Sequence, residues 1–165
     1  MRIADSLIAE LEQEAKTTRR VLERIPASKL SWRPHPKSMS LGQLGLHIAQ
    51  TPGAIVKLAQ ANVPALPQFK QAEATSSEEI LKTLDVGVAE ARAALDGWDD
   101  AKMMETWSLS NEGKTVMAMP RIGLLRAIML NHWYHHRGQM VVYLRLLDVP
   151  VPSVYGPTAD ENPFG

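Results

Sequence analysis

The chain has 165 residues and no cysteine, and its 18 Lys and Arg residues balance 18 Asp and Glu residues. This length suffices for one domain with a buried core. The zero net charge argues against nucleic acid or an anionic membrane as a partner held by bulk charge. Without cysteine, a metal has only nitrogen and oxygen ligands available. The sequence shows neither a signal-peptide pattern nor a membrane-spanning apolar run, and we expect a cytoplasmic protein.

Apolar residues recur at three- and four-residue steps along four segments, which predicts four amphipathic helices. The predicted helices cover residues 3–24, 41–61, about 76–97 and about 120–147. Pro52 lies inside the second of them, and we expect it to kink that helix because proline has no backbone N–H to donate.

Three predicted helix starts have recognisable residues. Ser40 and Gln43 have the spacing of a capping box, in which each side chain bonds the other residue's backbone N–H. Ser76 and Glu79 have the same spacing. Pro120 suits the first position of the last helix, where a missing N–H removes no intrahelical bond.

The segments outside the helices are less regular. Residues 106–110 and 114–117 flank Asn111-Glu112-Gly113, so a small β-hairpin and a plain loop both fit residues 101–119. Residues 149–165 hold four prolines, and we expect an irregular tail that folds back over the helices. The predicted fold is a single all-α domain over residues 1–165, a four-helix bundle with a possible small β-hairpin before the last helix.

Three of the five histidines lie within five residues on the last predicted helix. At about 100° per residue, His132 and His136 lie in the middle of its apolar stripe, and His135 lies about 60° to one side. His47 lies in the middle of the stripe on the second helix. We therefore expect three imidazoles, from His47, His132 and His136, to enter one core.

A buried imidazole costs free energy unless it is hydrogen-bonded or coordinated to a metal. One divalent ion could satisfy all three, because neutral imidazole is a good ligand for zinc, nickel, copper and iron. A histidine hydrogen-bond network and a mere cluster are the alternatives at this point. Position 133 is Trp, so the glutamate of the His-Glu-x-x-His metalloprotease motif is missing.

Two histidine-bearing segments resemble the DinB-like family. One is Tyr134-His135-His136-Arg137-Gly138-Gln139, preceded by His132 and followed by Tyr143-Leu144-Arg145. The other runs from Leu30-Ser31-Trp32-Arg33-Pro34 to Leu46-His47-Ile48-Ala49. The resemblance extends with lower specificity over about residues 1–160, including the tail. Members of this family are metal-binding four-helix bundles, first noted as DNA-damage-inducible proteins.

The resemblance implies a metal site with one histidine from the second helix and two from the fourth, here His47, His132 and His136. Zinc or nickel is the expected metal. Three neutral ligands leave one coordination position open, as in catalytic zinc sites, where a bound water or thiol becomes more acidic. The candidates for hydrogen bonds around the ligands are His135, Gln139 and Tyr143.

Two of these candidates, Gln139 and Tyr143, have a structural alternative. Gln139 can be a buried amide satisfied within the core, and Tyr143 can be a core residue. Arg137 is predicted on the far face of the last helix, where it would pair with an acidic residue or lie at a dimer surface.

Three functions fit these observations. The first is a metal-dependent enzyme, because some members of the resembled family transfer low-molecular-weight thiols such as bacillithiol or mycothiol, and metal-assisted hydrolysis suits the same site. The second is a non-catalytic metal- or ligand-binding module in a stress response. The third is a helical interaction protein with structural histidines. We expect a small-molecule substrate that the sequence does not identify, and a homodimer formed through a face such as that bearing Leu130 and Trp133.

Overall fold

A computed structural model describes residues 1–68 and 71–165 of the chain. It confirms the helical bundle with a small hairpin before the last helix. The elements in chain order are α1 (Ile3–Leu22), a 3₁₀ turn (Ala27–Lys29), α2 (Leu41–Ala59), α3 (Ser77–Asp96), α4 (Asp100–Met104), β1 (Thr106–Asn111), β2 (Lys114–Pro120), α5 (Arg121–Leu124), a π-helical segment (Leu125–Asn131) and α6 (His132–Leu146). The last three follow one another without a break and together form the predicted fourth helix. The short helix α4 was not predicted.

The two predicted capping boxes have different outcomes. At α2, the Ser40 hydroxyl accepts from the Gln43 N–H at 3.1 Å, and the Gln43 side chain accepts from the Ser40 N–H at 3.0 Å. At α3, Ser76 accepts from the Glu79 N–H, but the Glu79 carboxylate instead accepts from the N–H and hydroxyl of Thr75. The second box is therefore only half formed, because Thr75 offers two donors to the same carboxylate.

The hairpin prediction is confirmed over residues 106–120. β1 and β2 pair antiparallel, and Asn111 lies opposite Lys114. The two turn residues between them, Glu112 and Gly113, both have positive φ, as a two-residue hairpin turn of type I′ requires. The Trp107 ring is buried, and its N–H donates to two carbonyls at the end of α2. This contact fixes the hairpin against the bundle.

Pro120 is the last residue of β2, and the helix begins at Arg121. The prediction that Pro120 takes the first helical position is therefore wrong by one residue. Pro120 is the N-cap residue, and its ψ of 144° is extended, as is usual for the residue that precedes the first helical one.

The helices α2 and α3 approach each other closely at two glycines. A Cβ atom at Gly53 would lie 2.9 Å from the Cα of Gly87, which leaves no room for a side chain there. Helix α2 continues past Pro52 to Ala59, and the Thr51 hydroxyl donates to the His47 carbonyl at 2.7 Å. The predicted kink at Pro52 stays a prediction.

The tail folds back over the bundle, as expected. Val151 and Ser153 are buried, and the guanidinium groups of Arg20 and Arg145 pair with Glu161 and Asp160 of the tail. Within residues 1–68 and 71–165, none of the helices combines the length and apolar character needed to cross a bilayer.

Candidate metal centre

The buried stripe of α6 lies one residue away from its predicted position. The predicted core-facing positions are His132, His136, Gln139 and Tyr143. The side chains that are buried there are Trp133, Arg137, Met140 and Leu144. Before this point Leu125 and Met129 are buried as predicted. The shift therefore arises between Met129 and Trp133.

The π-helical segment Leu125–Asn131 explains this shift. A π-helix closes i→i+5 hydrogen bonds, so it holds more residues in a turn than an α-helix does. The apolar pattern read at a fixed 100° per residue therefore falls out of phase after the segment. As a result Trp133 and Arg137 turn into the core, and His132 and His136 move to its edge, where each is only partly buried.

His47 lies in a similar position on α2. The buried residues of this helix include Leu44 and Thr51, which lie three residues before and four residues after His47. His47 itself is only partly buried, so its predicted depth in the core is wrong. The predicted stripe included Ala54, which is exposed.

The three histidines nevertheless converge at this edge. One ring nitrogen from each of His47, His132 and His136 lies within 4.8 Å of the other two. The Nε2 atoms of His47 and His132 are 3.0 Å apart. The three rings are steeply inclined to one another, with interplanar angles of 72°, 83° and 78°. Such rings direct their nitrogens toward a common point instead of stacking.

This geometry fits a divalent ion. Two nitrogens bound to tetrahedral zinc at about 2.0–2.1 Å are themselves about 3.3 Å apart, close to the separation of the His47 and His132 atoms. The same pair of atoms also suits a hydrogen bond between two neutral rings, which would leave His136 outside the pair. The three-histidine cluster can therefore hold a metal ion, and metal analysis distinguishes the two arrangements.

All three imidazoles are held in the neutral form that binds metals. Burial first, and then the charges of His136 and His132, lower the pKa of His47 from 6.5 to about 4. Burial is also the main cause that lowers the pKa of His132, with His135 adding to it. Burial likewise lowers the pKa of His136, although its hydrogen bond with Gln139 acts in the opposite direction. At neutral pH the nitrogen lone pairs are therefore available.

Gln139 links two of the histidines. Its side-chain oxygen lies 2.7 Å from Nδ1 of His136, and its side-chain nitrogen lies 3.0 Å from Nε2 of His135. When the His136 Nδ1–H donates to this oxygen, Nε2 is the His136 atom left for a metal. Gln139 is exposed, so the alternative of a buried core amide is wrong.

Tyr143 contacts residues of the segment before α2. Its hydroxyl donates to the Met39 carbonyl at 3.3 Å, and its ring packs edge-on against Trp32. These contacts support the structural alternative for Tyr143. Sequence reasoning selected it because the pattern after the π-helical segment was read one residue out of phase.

Arg137 is buried and not on the far face. Its guanidinium contacts the Glu14 carboxylate at 2.6 Å and donates to the Thr18 hydroxyl at 3.1 Å and to the Tyr155 hydroxyl. The predicted acidic partner is present, but the predicted surface position is wrong. Trp133 and Leu130 are also fully buried, so their face is not available for a dimer, and the homodimer stays a prediction.

A cavity of about 260 Å³ opens beside the cluster. His47 and His132 form part of its wall, together with Thr51 and Ile128. Sequence reasoning missed this cavity, because its lining joins α2 to residues far along the chain and forms no recognisable motif.

Comparisons with known proteins bear on the same site. The sequence model of the DinB family matches residues 1–162 of the chain. The chain belongs to the DinB family. The Bacillus subtilis protein YrdA is 26% identical to it over 158 residues, which are 95% of this chain and 90% of YrdA.

Solved structures agree with the fold of this DinB-family protein. A DinB-like protein from Bacillus cereus has 26% identity and a TM-score of 0.68, covering 86% of this chain and 91% of its own. The DinB-like protein YjoA from Bacillus subtilis has 17% identity and a TM-score of 0.69, covering 90% of this chain and 96% of its own. At this lower identity the likeness concerns the fold alone.

Proposed function

We propose that this protein binds one zinc or nickel ion through His47, His132 and His136 and is a metal-dependent enzyme of the thiol-transferase or hydrolase type. The observation that carries the proposal is the convergence of three neutral imidazoles at the edge of the core, beside a cavity. A buried structural site would be closed by four protein ligands, whereas three ligands beside a cavity leave a position for a substrate.

The chain's own residues have separate tasks in this proposal. When bound, the ion supplies a Lewis-acidic centre that can hold a thiolate beside an electrophile or activate water for hydrolysis. Gln139 orients His136 by accepting from its Nδ1–H. The apolar wall that includes Ile128 limits the access of bulk water to the open side of the site.

A second function, a non-catalytic metal- or ligand-binding module, is favoured by one observation. Among the described residues that line the cavity there is no Asp, Glu, Lys, Arg or Tyr. In an enzyme of this kind, the metal and its histidines would therefore have to perform the chemistry, because the described lining residues include no separate acid or base.

Turnover by matched variants tests the enzymatic proposal. The zinc- and nickel-loaded protein is assayed with low-molecular-weight thiols plus reactive electrophiles, and separately with esters. We expect one of these reactions to be lost in His136→Ala and retained in His135→Ala, whose ring is exposed and is not one of the three that converge. Turnover that survives His136→Ala would contradict metal catalysis, and metal binding without turnover in either screen would favour the binding module.

A further inference from the structure

The cavity beside the histidines is built from four parts of the chain. Helix α2 contributes His47, Gln50, Thr51, Ala54 and Ile55. Ile128 comes from the π-helical segment, His132 is the first residue of α6, and Gln71 comes from the segment before α3. The π-helical segment thus contributes Ile128 to the wall and directly precedes His132. This fits the frequent occurrence of π-helical turns at functional sites.

The wall at Gln71 is fixed to the start of α2. The Gln71 carbonyl accepts from the Gln43 side chain at 3.3 Å. Two residues further on, the Glu73 carboxylate accepts from the buried Ser40 hydroxyl at 2.6 Å. The Gln71 end of the cavity is therefore held to the start of α2 through these two contacts.

The described residues of the wall are apolar or neutral polar, apart from the two histidines. Ala54, Ile55 and Ile128 are apolar, and Gln50 and Gln71 offer neutral amides. The Thr51 hydroxyl already donates to the His47 carbonyl, so it can only accept from a ligand. None of the described lining residues carries a formal charge, so a charged ligand group would meet amides but no opposite charge there.

The size of the cavity sets a second limit. Its volume of about 260 Å³ lies below the range of about 300–1,000 Å³ that is usual for pockets that enclose drug-sized ligands. A compound with several rings or with a long polar extension would not be enclosed. A short chain or one small ring fits.

We infer that this cavity selects a small ligand with an uncharged, largely apolar body, whose single metal-binding group points at His47 and His132. The inference rests on the proposed metal centre and adds the substrate class to it. A polyanionic thiol would have to leave its carboxylates outside the cavity, whereas a short alkyl thiol places its chain against Ile55 and Ile128.

Cobalt-loaded protein tests this selectivity without an assay of activity. Butane-1-thiol and mercaptosuccinate are titrated separately, and the thiolate-to-cobalt absorption band reports binding as each thiol loses its proton to the buffer. After correction for the thiolate fraction of each compound, we expect butane-1-thiol to bind at least about tenfold more tightly, because burial of a few methylene groups has that effect. Equal binding, or tighter binding of mercaptosuccinate, would overturn the inference.

Two variants locate the selectivity in the cavity. Ile128→Trp fills the apolar wall and should weaken butane-1-thiol at least about tenfold with full cobalt content, whereas Val142→Trp on the exposed side of α6 should not. Gln50→Lys adds a charge at an exposed position and should strengthen mercaptosuccinate several-fold, whereas Gln60→Lys at the end of α2 should not. Unchanged affinities in both cavity variants would contradict the inference.

The failure of the metal centre is distinguishable from the failure of the cavity. Cobalt content is measured on every sample, and a protein that takes up no cobalt overturns the proposed function. The cavity is then tested in the metal-free protein by NMR titration with butan-1-ol. Methyl shifts confined to Thr51, Ile55 and Ile128 would support the ligand class, and the absence of such shifts would overturn it.

Discussion

At the scale of single residues, the hydrogen bond between Gln139 and His136 decides which nitrogen faces the metal. The amide oxygen takes the Nδ1–H of His136 at 2.7 Å, and the amide nitrogen is occupied by His135. Partners of this kind fix the tautomer and the orientation of a metal-binding histidine. Gln139 was a candidate from the sequence, although periodicity placed it in the core and the structure places it at the surface.

Loss of this hydrogen bond should weaken metal binding. We expect Gln139→Ala to lower zinc affinity by about 10–100-fold, because His136 is then free to rotate and to change tautomer. Gln139→Glu should retain or raise the affinity, since a carboxylate accepts the same N–H more strongly. Affinities are measured by competition with a chromophoric chelator. Gln13→Ala, at an exposed position of α1, serves as the control. Equal affinities in wild type and Gln139→Ala would remove Gln139 from the site.

The lowered pKa of His47 makes the stability of the metal-free protein depend on pH. Its pKa is about 4 in the folded chain and 6.5 as the reference value, so the unfolded chain binds more protons between these pH values. The free energy of unfolding should therefore be highest above pH 6.5 and fall as the pH is lowered toward 4.

We expect this fall to be about 1–2 kcal/mol between pH 7.5 and 5, which is less than the full pKa shift implies because the ring is partly solvated. His47→Gln should make the profile shallower in this range, and the lowered pKa values of His132 and His136 account for the dependence that remains. The measurement is urea unfolding of metal-free protein at each pH. If the wild-type profile is no steeper than that of His47→Gln, the pH dependence does not come from the lowered pKa of His47.

At the scale of the elements, the sequence predicted the features that depend on residues close together in the chain. The cap at Ser40, the turn at Glu112-Gly113 and the apolar stripes of α1 and α3 all depend on neighbouring residues, and the structure has them. The π-helical segment was not predicted, because the periodicity argument assumes one fixed rotation per residue. The histidines were identified correctly as a group, but the depth of His132 and His136 in the core was overestimated for this reason.

The end of α6 offers a test of backbone strain. Asp148 has a φ of 57°, and the N–H groups of Asp148 and Val149 bond to carbonyls of Arg145 and Leu144 in the pattern of a Schellman cap. This position favours glycine, which has no Cβ to clash in the left-handed region. We expect Asp148→Gly to raise the free energy of unfolding by about 0.5–1 kcal/mol, measured by urea denaturation. A loss of stability, or a gain equalled by Asp148→Ala, would contradict this explanation.

At the scale of the whole molecule, Arg137 joins the first helix, the last helix and the tail. Its guanidinium lies near the rings of Tyr134 and Tyr155, and the Tyr155 hydroxyl donates to the Glu14 carboxylate at 2.9 Å. Periodicity could not predict this arrangement, because a charged residue in a core stripe is recognised only when its partners from distant segments are known. The contacts of the tail depend in the same way on residues far apart in the chain.

Removal of this buried cation should destabilise the fold. Arg137→Met leaves the Glu14 carboxylate, which is only 12% exposed, without its partner, and we expect a loss of about 3–5 kcal/mol. Adding Glu14→Gln should restore a large part of that loss, because no unpaired charge remains. Urea unfolding of the single and double variants measures both effects. An Arg137→Met protein as stable as wild type would show that the pair contributes little to the fold.

The most direct test of the account is elemental analysis combined with X-ray absorption of protein purified without a histidine tag. We predict one zinc or nickel ion per chain, bound by three imidazole nitrogens at about 2.0–2.1 Å and one further light ligand, and loss of that ion in His47→Ala, His132→Ala and His136→Ala but not in His135→Ala. A protein that holds no stoichiometric metal, even after incubation with zinc or nickel, would contradict the metal centre and favour a hydrogen bond between His47 and His132 instead.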